Sequence, residues 1–562
     1  MLLGPTDSHQ GHTYTNFHSS LTCCGASFMT LQFQPTSDPT AIMPSSPVVL
    51  MSQLALAGSL FAFLVFPIYR YLRDLKKLRR YPGPFLAAMT NLWIMFKHYK
   101  GTRTNTVHSL HQKHGKIVRI GPNSLSFSSL QAAKDIYGHG TATSKDKFYD
   151  SLAGIHRQLF DSIDKEEHAK KRKLFAAAFS QKSVEEKEHN VNGDILELVH
   201  QFDRLCTDPP KLGQNIFDEH ELTDARRWFN LLTLDLAADF SFGMKLGFVA
   251  QGDDLTTCET IRGHKYQEHP EAGTYPNLQI ISTLGYARPS FFHINRKLFA
   301  WHRGWRDGQV FTDFTVHLVR KRMAAETDGN KRTDFFQALN FTRDGMPTDM
   351  QMGELIQECA LLMNAGSETT TCALQNIFHH LIRHPRCMQI LYEELETAFQ
   401  KEEGEVPAYD KIKFLPYLRA VIDETLRLRP SLAVALPRVT PPEGMSIDGT
   451  WVPGNTTVSA PAWTIHRNPQ LFQHPLEFRP ERWLAGNGEK LQQGFMPFSL
   501  GARACVGRNM AYMELSLVVA TLVHRYHFAL PSPQWEPTMC ESMVIKSGPM
   551  PVKIWRRAST RE

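Results

Sequence analysis

One short segment near the C-terminus constrains this chain more than any other. Cys505 lies in the sequence Phe-Ser-Leu-Gly-Ala-Arg-Ala-Cys-Val-Gly, residues 498–507, and a long amphipathic segment follows it at once. A cysteine just before a helix gains from the helix dipole and from free backbone N–H groups, and both favour the thiolate over the thiol. The glycines at 501 and 507 let the backbone pass close to a flat group. A buried structural cysteine at a helix start is the alternative interpretation.

The remaining cysteines indicate neither a disulfide framework nor a zinc site. The chain has nine cysteines, an odd number, and no Cys-x-x-Cys pair occurs. A single thiolate without a second soft ligand nearby favours one axial bond to haem iron. The net charge of only +6 over 562 residues argues against a nucleic-acid partner.

The N-terminal region predicts attachment to a membrane. Residues 1–46 are rich in Ser, Thr, Pro and His, and we expect a disordered leader there. Residues 47–69 are almost wholly apolar, and as a helix they would span the roughly 30 Å of bilayer hydrocarbon. The basic, Pro-rich hinge at 70–84 favours the cytosolic side, which predicts a single-pass anchor followed by one cytosolic domain, residues 85–562. A cleaved signal peptide is the alternative.

Most of the domain is predicted to be helical. Apolar spacing at the helical period indicates helices over the segments 166–180, 222–243, 348–384, 387–402, 415–428 and 505–526. Thr348 is predicted to cap the third of these, with Gln351 at the capping-box position. Hairpins are predicted within 114–127 and at 446–452. The predicted fold class is therefore mainly α with a small β-sheet subdomain (α+β).

A second motif completes a family pattern. The sequence Ala-Gly-Ser-Glu-Thr-Thr, residues 365–370, lies inside the long helical segment. With the cysteine segment it resembles the cytochrome P-450 family over nearly all of residues 82–555. The resemblance implies the P-450 fold with an N-terminal transmembrane helix, haem b held by Cys505 and O2 as co-substrate. It implies that Thr369 hydrogen-bonds the oxygen and that Glu368 relays protons. Ordinary polar residues on a solvated helix face are the alternative.

A charged cluster is expected to support the cysteine loop. Glu424 and Arg427 share one helix face at i,i+3 spacing. With Arg482 they resemble the buried Glu–Arg–Arg cluster of the family. We expect this cluster to hold the loop that carries Cys505 without contacting substrate.

Further positions match the family's cofactor contacts. These are His168 and Arg172, which align at i,i+4 spacing, with Arg438, Phe498, Gly501 and Arg503. The cations among them would neutralise the two haem propionates in a buried site. Taken singly, a His or Arg on a helix is usually an ordinary surface residue, so the match to the family is what distinguishes them.

Electrons are expected to arrive from another polypeptide. No strand–GxGxxG–helix pattern is present, so nicotinamide and flavin are not expected to bind this chain. The resemblance implies a separate NADPH-dependent flavoprotein reductase, with cytochrome b5 as a further candidate donor. Lys170, Lys171, Lys173 and Arg508 are predicted to form a basic docking face. Ordinary solvated lysines are the alternative.

The pattern leaves the substrate open. By resemblance, the pocket is expected to be lined by the segments 148–165, 264–300, 358–369 and 431–436, which suit a lipophilic small molecule. The chain also resembles microsomal enzymes of filamentous fungi, which implies the endoplasmic reticulum membrane and the tailoring of terpenoids, polyketides or alkaloids. The alternatives are a haem-thiolate isomerase, dehydratase or oxidative coupling enzyme, and a non-catalytic haem carrier or sensor.

Overall fold

The described part of the chain covers most of its length. The computed structural model describes residues 47–558 except 62–64, 155, 212, 214–216, 288–293, 295–296, 328–333, 342–345, 400–404, 485 and 487. The chain divides after Phe63 into a short N-terminal unit and one large unit. The predicted leader, residues 1–46, lies outside the described residues.

The predicted membrane anchor corresponds to two short helices. Pro47–Leu60 belongs to the N-terminal unit, and Phe66–Arg73 begins the large unit. Residues 62–64 between them lie outside the described part. Among the helices that the structure describes, none combines the length and the apolar character needed to cross a bilayer.

Helices form most of the large unit. After Phe66–Arg73, the described part of the chain contains the α-helices Phe85–Met89, Leu92–Tyr99, Arg103–His114, Leu130–Tyr137, Lys165–Ala178, Gln181–Glu185, Glu188–Leu205, Ala225–Phe242, Phe248–Gln251, Glu271–Leu284, Arg303–Thr327, Phe335–Asn340, Met352–Arg383, Pro385–Phe399, Tyr409–Ile412, Pro416–Leu428, Ala462–Ile465, Gly488–Gly494 and Arg508–Arg525. All six helices predicted from apolar spacing are confirmed, with ends shifted by a few residues.

The predicted cap of the longest helix is wrong. This central helix, Met352–Arg383, begins after Gln351, whose side chain makes no capping bond. Thr348 instead donates its hydroxyl to the carbonyl of Leu339 over 2.7 Å and its N–H to the carbonyl of Asn340 over 2.8 Å. The hydroxyl is therefore used to tie the chain to the preceding helix.

The strands form one larger sheet and several small ones. They are β1 Ile117–Gly121, β2 Ser124–Phe127, β3 Ser144–Lys145, β4 Thr223–Asp224, β5 Thr256–Glu259, β6 Lys265–Glu268, β7 Arg438–Val439, β8 Met445–Ile447, β9 Thr450–Val452, β10 Thr457–Ser459, β11 Tyr526–Ala529, β12 Met539–Glu541, β13 Ile545–Ser547 and β14 Pro551–Arg556. The largest sheet has the order β1-β2-β10-β7-β3, and β10 runs parallel to β2.

Both predicted hairpins are confirmed. β1 pairs with β2 and β8 with β9, each antiparallel. The second turn places Asp448 at φ 48° and Gly449 at φ 72°. Positive φ at both central residues is the geometry that an Asp-Gly pair favours in a two-residue hairpin.

The central helix positions the rest of the large unit. It packs against Ala225–Phe242 and against the helix Arg508–Arg525. Leu374, Ile377 and Phe378 on the central helix and Leu515 on the later helix are fully or almost fully buried in the main apolar core. Burying each such side chain contributes roughly 1.5–3 kcal/mol. The segment that precedes Arg508, including Cys505, is thereby attached to a helix that the core holds in place.

Candidate active site

The cysteine loop is shaped by its own backbone bonds. The N–H of Cys505 donates to the carbonyl of Phe498 over 2.9 Å, and that of Ala504 donates to Gly501 over 3.0 Å. Ser499 adopts φ 61°, which is uncommon for a residue with a side chain. Such strained backbone persists only where the surrounding structure determines it, so the loop is held in one conformation.

Gly501 serves the loop rather than the cavity beside it. Its φ is 71°, and a Cβ there would lie 2.1 Å from the carbonyl oxygen of Tyr137. The residue is not part of the cavity wall, whereas Gly507 is. The contact between Gly501 and the cofactor stays a prediction. Only glycine fits here because the neighbouring backbone at 137–138 approaches so closely.

Cys505 faces a cavity of about 460 Å³. The accessible surface of Cys505 faces this cavity. The side chain is therefore exposed to the cavity although protein surrounds it. Burial raises the pKa of the Cys505 thiol above its ordinary value; a hydrogen bond from the N–H of Gly507 and the charges of Arg172 and Arg508 lower it. The backbone N–H bond predicted at the helix start is present and lowers the pKa. In the free thiol, the rise in pKa that burial causes is larger.

The middle of the central helix forms another wall of the same cavity. Ala365, Gly366 and Thr369 line it. The hydroxyl of Thr369 donates to the carbonyl of Ala365 over 2.7 Å and retains accessible surface. A Cβ at Gly366 would meet only the Cβ of Ala237, at 3.5 Å. The thiol and the Thr369 hydroxyl therefore face one common space with small residues around the hydroxyl.

Glu368 points away from that space. It is buried, it is not part of the cavity wall, and its carboxylate lies 3.5 Å from Arg226 Nη2 and 3.3 Å from Asn230 Nδ2. Lys546 Nζ lies 3.9 Å from the same carboxylate. The carboxylate is therefore held in a polar cluster behind Thr369.

Arginine side chains and a neutral histidine surround the part of the cavity near the thiol. His168, Arg172, Arg438 and Arg503, all predicted from the sequence, line it together with Phe498. Burial and the nearby cations Arg503 and Lys145 lower the pKa of His168 to about 3, so its ring is neutral. Burial and the charge of Arg438 lower the pKa of Arg503 to about 10.

Lys145 is a cavity residue that sequence reasoning missed. It lies opposite Arg438 in the β3–β7 pair. It is 5% exposed, and its ammonium donates to the carbonyl of Phe160 and lies 4.5 Å from the ring centre of Tyr149. Burial and the charge of Arg438 lower its pKa well below the ordinary value. A lysine at the end of a two-residue strand carries no periodic signal, which is why the sequence did not reveal it.

Two of the predicted cations also hold backbone. Arg172 Nη1 donates to the carbonyl of Ala504 over 2.5 Å, next to Cys505. Arg503 donates to the carbonyls of Ser162, Ile163 and Asp164. Arg172 therefore also fixes the cysteine loop, and Arg503 fixes the loop at residues 162–164.

The cavity has the charge that a dianionic group requires. Within the described wall, Glu514 is the one carboxylate, and burial raises its pKa to about 8. Several desolvated cations therefore face the cavity with almost no negative charge to compensate them, which is costly unless an anion binds. A flat group with two carboxylates and one metal that takes a thiolate fits these residues. Haem has this chemistry.

The predicted Glu–Arg–Arg cluster is present. Glu424 accepts from Arg427 Nη2 at 2.8 Å and Nε at 2.9 Å, and from Arg482 Nε at 2.9 Å. Trp483 Nε1 and the N–H of Arg479 also donate to it, each at 3.0 Å. Glu424 and Arg427 have no exposed side-chain surface. The predicted contacts are confirmed, and the cluster lies outside the cavity wall.

His466 links this cluster to the cysteine loop, and sequence reasoning missed it. Its carbonyl accepts from Arg427 Nη1 at 2.8 Å. The N–H of Met496 donates to Nε2 at 2.9 Å, so Nδ1 carries the proton and donates to the carbonyl of Arg427 at 3.0 Å. Burial and the charge of Arg427 lower the pKa of His466 to about 3, which keeps this neutral form.

The predicted basic docking face loses one member. Lys170, Lys173 and Arg508 are exposed. Lys171 is 5% exposed, and its ammonium lies 2.5 Å from Glu354 and 2.9 Å from Glu358 of the central helix. The placement of Lys171 on the surface is therefore wrong, because the buried carboxylate of Glu358 pairs with it.

The cavity wall includes all four predicted segments and several others. Tyr149, Leu278, Leu361 and Leu432 represent the predicted ones. Three further segments were not predicted to line it: the helix Ala225–Phe242 through Ala237 and Ser241, the helix Arg303–Thr327 through Gly308, Phe311 and Thr312, and the loop at 543–544. Their sequence reads as ordinary helix or loop.

This fold and this site define the class of haem-thiolate proteins. The sequence profile of the family Cytochrome P450 matches residues 82–554. The chain therefore belongs to the cytochrome P450 family and is a monooxygenase of that family.

Curated relatives agree with this membership. A benzoate 4-monooxygenase of Aspergillus niger is 32% identical over 500 residues, covering 84% of this chain and 92% of the relative. A cytochrome P450 monooxygenase of Penicillium roqueforti is 32% identical over 472 residues, covering 82% and 85%. Another from Penicillium oxalicum is 29% identical over 496 residues, covering 88% and 92%.

Proposed function

We propose that this enzyme inserts one oxygen atom from O2 into a lipophilic small molecule, by hydroxylation or a related oxidation, in the biosynthesis of a fungal secondary metabolite such as a terpenoid, polyketide or alkaloid. Electrons come from NADPH through a separate flavoprotein reductase. The observation that carries the proposal is the common cavity faced by Cys505 and Thr369. Its wall is otherwise mostly apolar, which suits a lipophilic ligand.

Each group of site residues would have a separate role. Haem bound through Cys505 would supply oxygen activation, assisted by electron donation from the thiolate. His168, Arg438 and Arg503, with Lys145 now added, would hold the propionates. Thr369 Oγ1 would orient a proton in the cavity, and Glu368 would pass protons from the polar cluster behind it. Phe498 would pack beside the cofactor, and Glu424, Arg427 and Arg482 would hold the cysteine loop.

One experiment tests the reaction class. The reduced, carbon-monoxide-bound protein should show the long-wavelength absorption band of thiolate-bound haem, and product formation should require both NADPH and reductase. An isomerase or dehydratase would be fully active without them. A carrier or sensor would bind ligands spectrally and produce nothing. Either result would contradict the proposal.

Thr369→Val should separate electron use from product formation. Valine keeps the shape of threonine and removes the hydroxyl, so protons are no longer guided at that point. Product formed per NADPH oxidised should fall by about a hundredfold, at the lower end of the range for general acid–base groups. Thr369→Ser, which restores a hydroxyl, should recover most of the coupling, and an uncoupled serine variant would contradict the role.

The exposed lysines should govern reductase binding. We expect Lys170→Glu/Lys173→Glu to raise the reductase KM by about tenfold at low salt, because complementary charge speeds encounter. The difference from wild type should shrink as salt screens it. Lys113→Glu, an exposed lysine on the helix Arg103–His114, serves as the matched control. An unchanged KM and salt dependence in the double variant would contradict the proposal that these lysines form a docking face for the reductase or for cytochrome b5.

Attachment to the endoplasmic reticulum membrane, with the catalytic domain cytosolic, is the remaining part of the proposal. Its support is apolar surface on Phe66–Arg73, Phe85–Met89 and Leu92–Tyr99, where Leu72, Phe85, Leu86 and Phe96 are more than half exposed. Apolar surface of this extent favours contact with lipid. The full chain should stay in the membrane pellet after alkaline extraction, and removal of residues 47–69 should release most of it. Equal release of both proteins would contradict the anchor.

A further inference from the structure

The cations of the described cavity wall, Lys145, Arg172, Arg438 and Arg503, come from a few segments of the chain. Lys145 and Arg438 are cross-strand partners in β3 and β7, and Arg503 lies in the cysteine loop. Arg172 and His168 come from the helix Lys165–Ala178, and Arg172 contacts the same loop. Two propionates would use this positive charge.

A second part of the wall, its helical side, is formed by three helices that bring no charge to it. Among the described residues, Glu271–Leu284, Arg303–Thr327 and the central helix before Thr369 contribute only apolar and uncharged polar side chains to it. Leu278, Ile281, Phe311 and Leu361 are among its apolar residues. An ionised carboxylate placed there would be desolvated without a partner, which is strongly unfavourable.

The polar groups on these helices differ in what they already bind. The hydroxyls of Thr274 and Thr312 donate to carbonyls of their own helices, and Asn277 Nδ2 donates to the carbonyl of Gly304 over 3.0 Å. The side-chain amides of Gln357 and Asn364 line the cavity, and neither hydrogen-bonds another residue of the described chain. These two amides therefore retain donors and acceptors for a ligand.

The two amides lie on one face of the central helix. Residues 357 and 364 are seven apart, which is close to two turns and so about 10 Å along the axis. Asn364 precedes Thr369 by five residues, or about 7.5 Å. Gln357 is the more remote, since it lies a further seven residues towards the start of the helix, and a Cβ at Gly154 would lie 2.6 Å from its Oε1. A ligand that reaches Thr369 can therefore extend past Asn364 towards Gln357.

We propose that the enzyme takes an uncharged substrate whose hydrogen-bonding group, a carbonyl, hydroxyl or amide, is recognised by Asn364 and Gln357. This deepens the proposed function and rests on it. The Aspergillus niger relative is a benzoate 4-monooxygenase, so its substrate is a carboxylic acid. This chain would instead reject an isolated carboxylate because the helical side of its cavity offers no cation.

Three probes of similar size test the charge preference. They are 2-naphthamide, 2-naphthoate and 2-methylnaphthalene, added to the haem-loaded full chain at pH 7, where the naphthoate is ionised. Binding is followed by the displacement of the haem spectrum. The amide should bind at least about tenfold more tightly than the carboxylate. Equal or tighter binding of the carboxylate, or no response to any probe, would overturn the inference.

Two substitutions test the residues. Asn364→Leu should lower the affinity for 2-naphthamide by about fivefold, the effect of one neutral hydrogen bond. The affinity for 2-methylnaphthalene should not change. Asn364→Lys should reverse the order of amide and carboxylate. An amide affinity that Asn364→Leu does not change would remove Asn364 from recognition. The carbon-monoxide spectrum of each protein reports thiolate-bound haem separately, so failure of that spectrum counts against the proposed function and not against the substrate class.

Discussion

Cys505→Ser should yield a protein without thiolate-bound haem and with turnover below about a thousandth of the wild-type rate, a barrier at least about 4 kcal/mol higher. A serine hydroxyl is only slightly smaller than a thiol, so the loop can keep its backbone bonds to Phe498 and Gly501. What is lost is the soft anionic ligand. Cys505 is the one cysteine in the described wall of the cavity, so no other thiol there can take its place.

The measurements separate ligation from folding. The reduced, carbon-monoxide-bound spectrum should move from the thiolate-type band to a shorter wavelength, and the haem-to-protein ratio should fall. The unfolding midpoint of the cofactor-free protein should change little. Cys540→Ser is the matched control, because Cys540 is exposed and lies outside the cavity wall. A Cys505→Ser protein with the wild-type spectrum and turnover would remove the basis of the assignment.

Local patterns predicted the elements and the motif residues that depend on neighbours in sequence. The six helices follow from apolar spacing, and the pair Glu424–Arg427 follows from i,i+3 geometry within one of them. The hairpin at 446–452 follows from the backbone preference of Asp-Gly. Each of these depends on a few consecutive residues, so one sequence suffices.

Features that depend on the approach of distant segments could not be predicted. Gly501 is required by the backbone at 137–138, more than 360 residues earlier. Lys171 looks like a surface lysine on a basic helix until the central helix brings Glu358 beside it. Lys145 ends a two-residue strand and His466 follows a four-residue helix, elements too short to show periodicity, and only the fold brings them to the site. In each case, the contacts of the residue are made by segments distant in sequence. They could not be inferred from the helix, strand or loop in which the residue lies.

Glu424→Ala should destabilise the folded protein by about 3–5 kcal/mol, because it leaves buried guanidinium groups without their anion. Arg427 has no exposed side-chain surface and Arg482 only 8%, so neither can turn to water. Typical folding free energies are about 5–15 kcal/mol, and the loss is therefore a large fraction of the whole. The urea midpoint of unfolding measures it directly.

The substitution should also reduce haem retention, through a defined route. Arg427 and His466 exchange bonds between side chain and backbone, and Nε2 of His466 receives the N–H of Met496, nine residues before Cys505. If Arg427 shifts, this acceptor shifts with it, and the start of the cysteine loop loses its fixed position. We therefore expect faster haem transfer from the variant to apomyoglobin than from wild type.

Two control variants distinguish the effect of breaking the Glu–Arg–Arg cluster from the effect of removing a charge. Glu443→Ala removes an exposed carboxylate and should change stability by less than about 0.5 kcal/mol. His466→Phe keeps a buried ring but removes Nε2 and Nδ1, so it breaks the link to Met496 while Glu424 still pairs with both arginines. If the cluster acts on the cofactor through this link, His466→Phe should speed haem loss with the Glu424 contacts intact. Unchanged haem retention in both Glu424→Ala and His466→Phe would mean that the cysteine loop holds itself without the cluster.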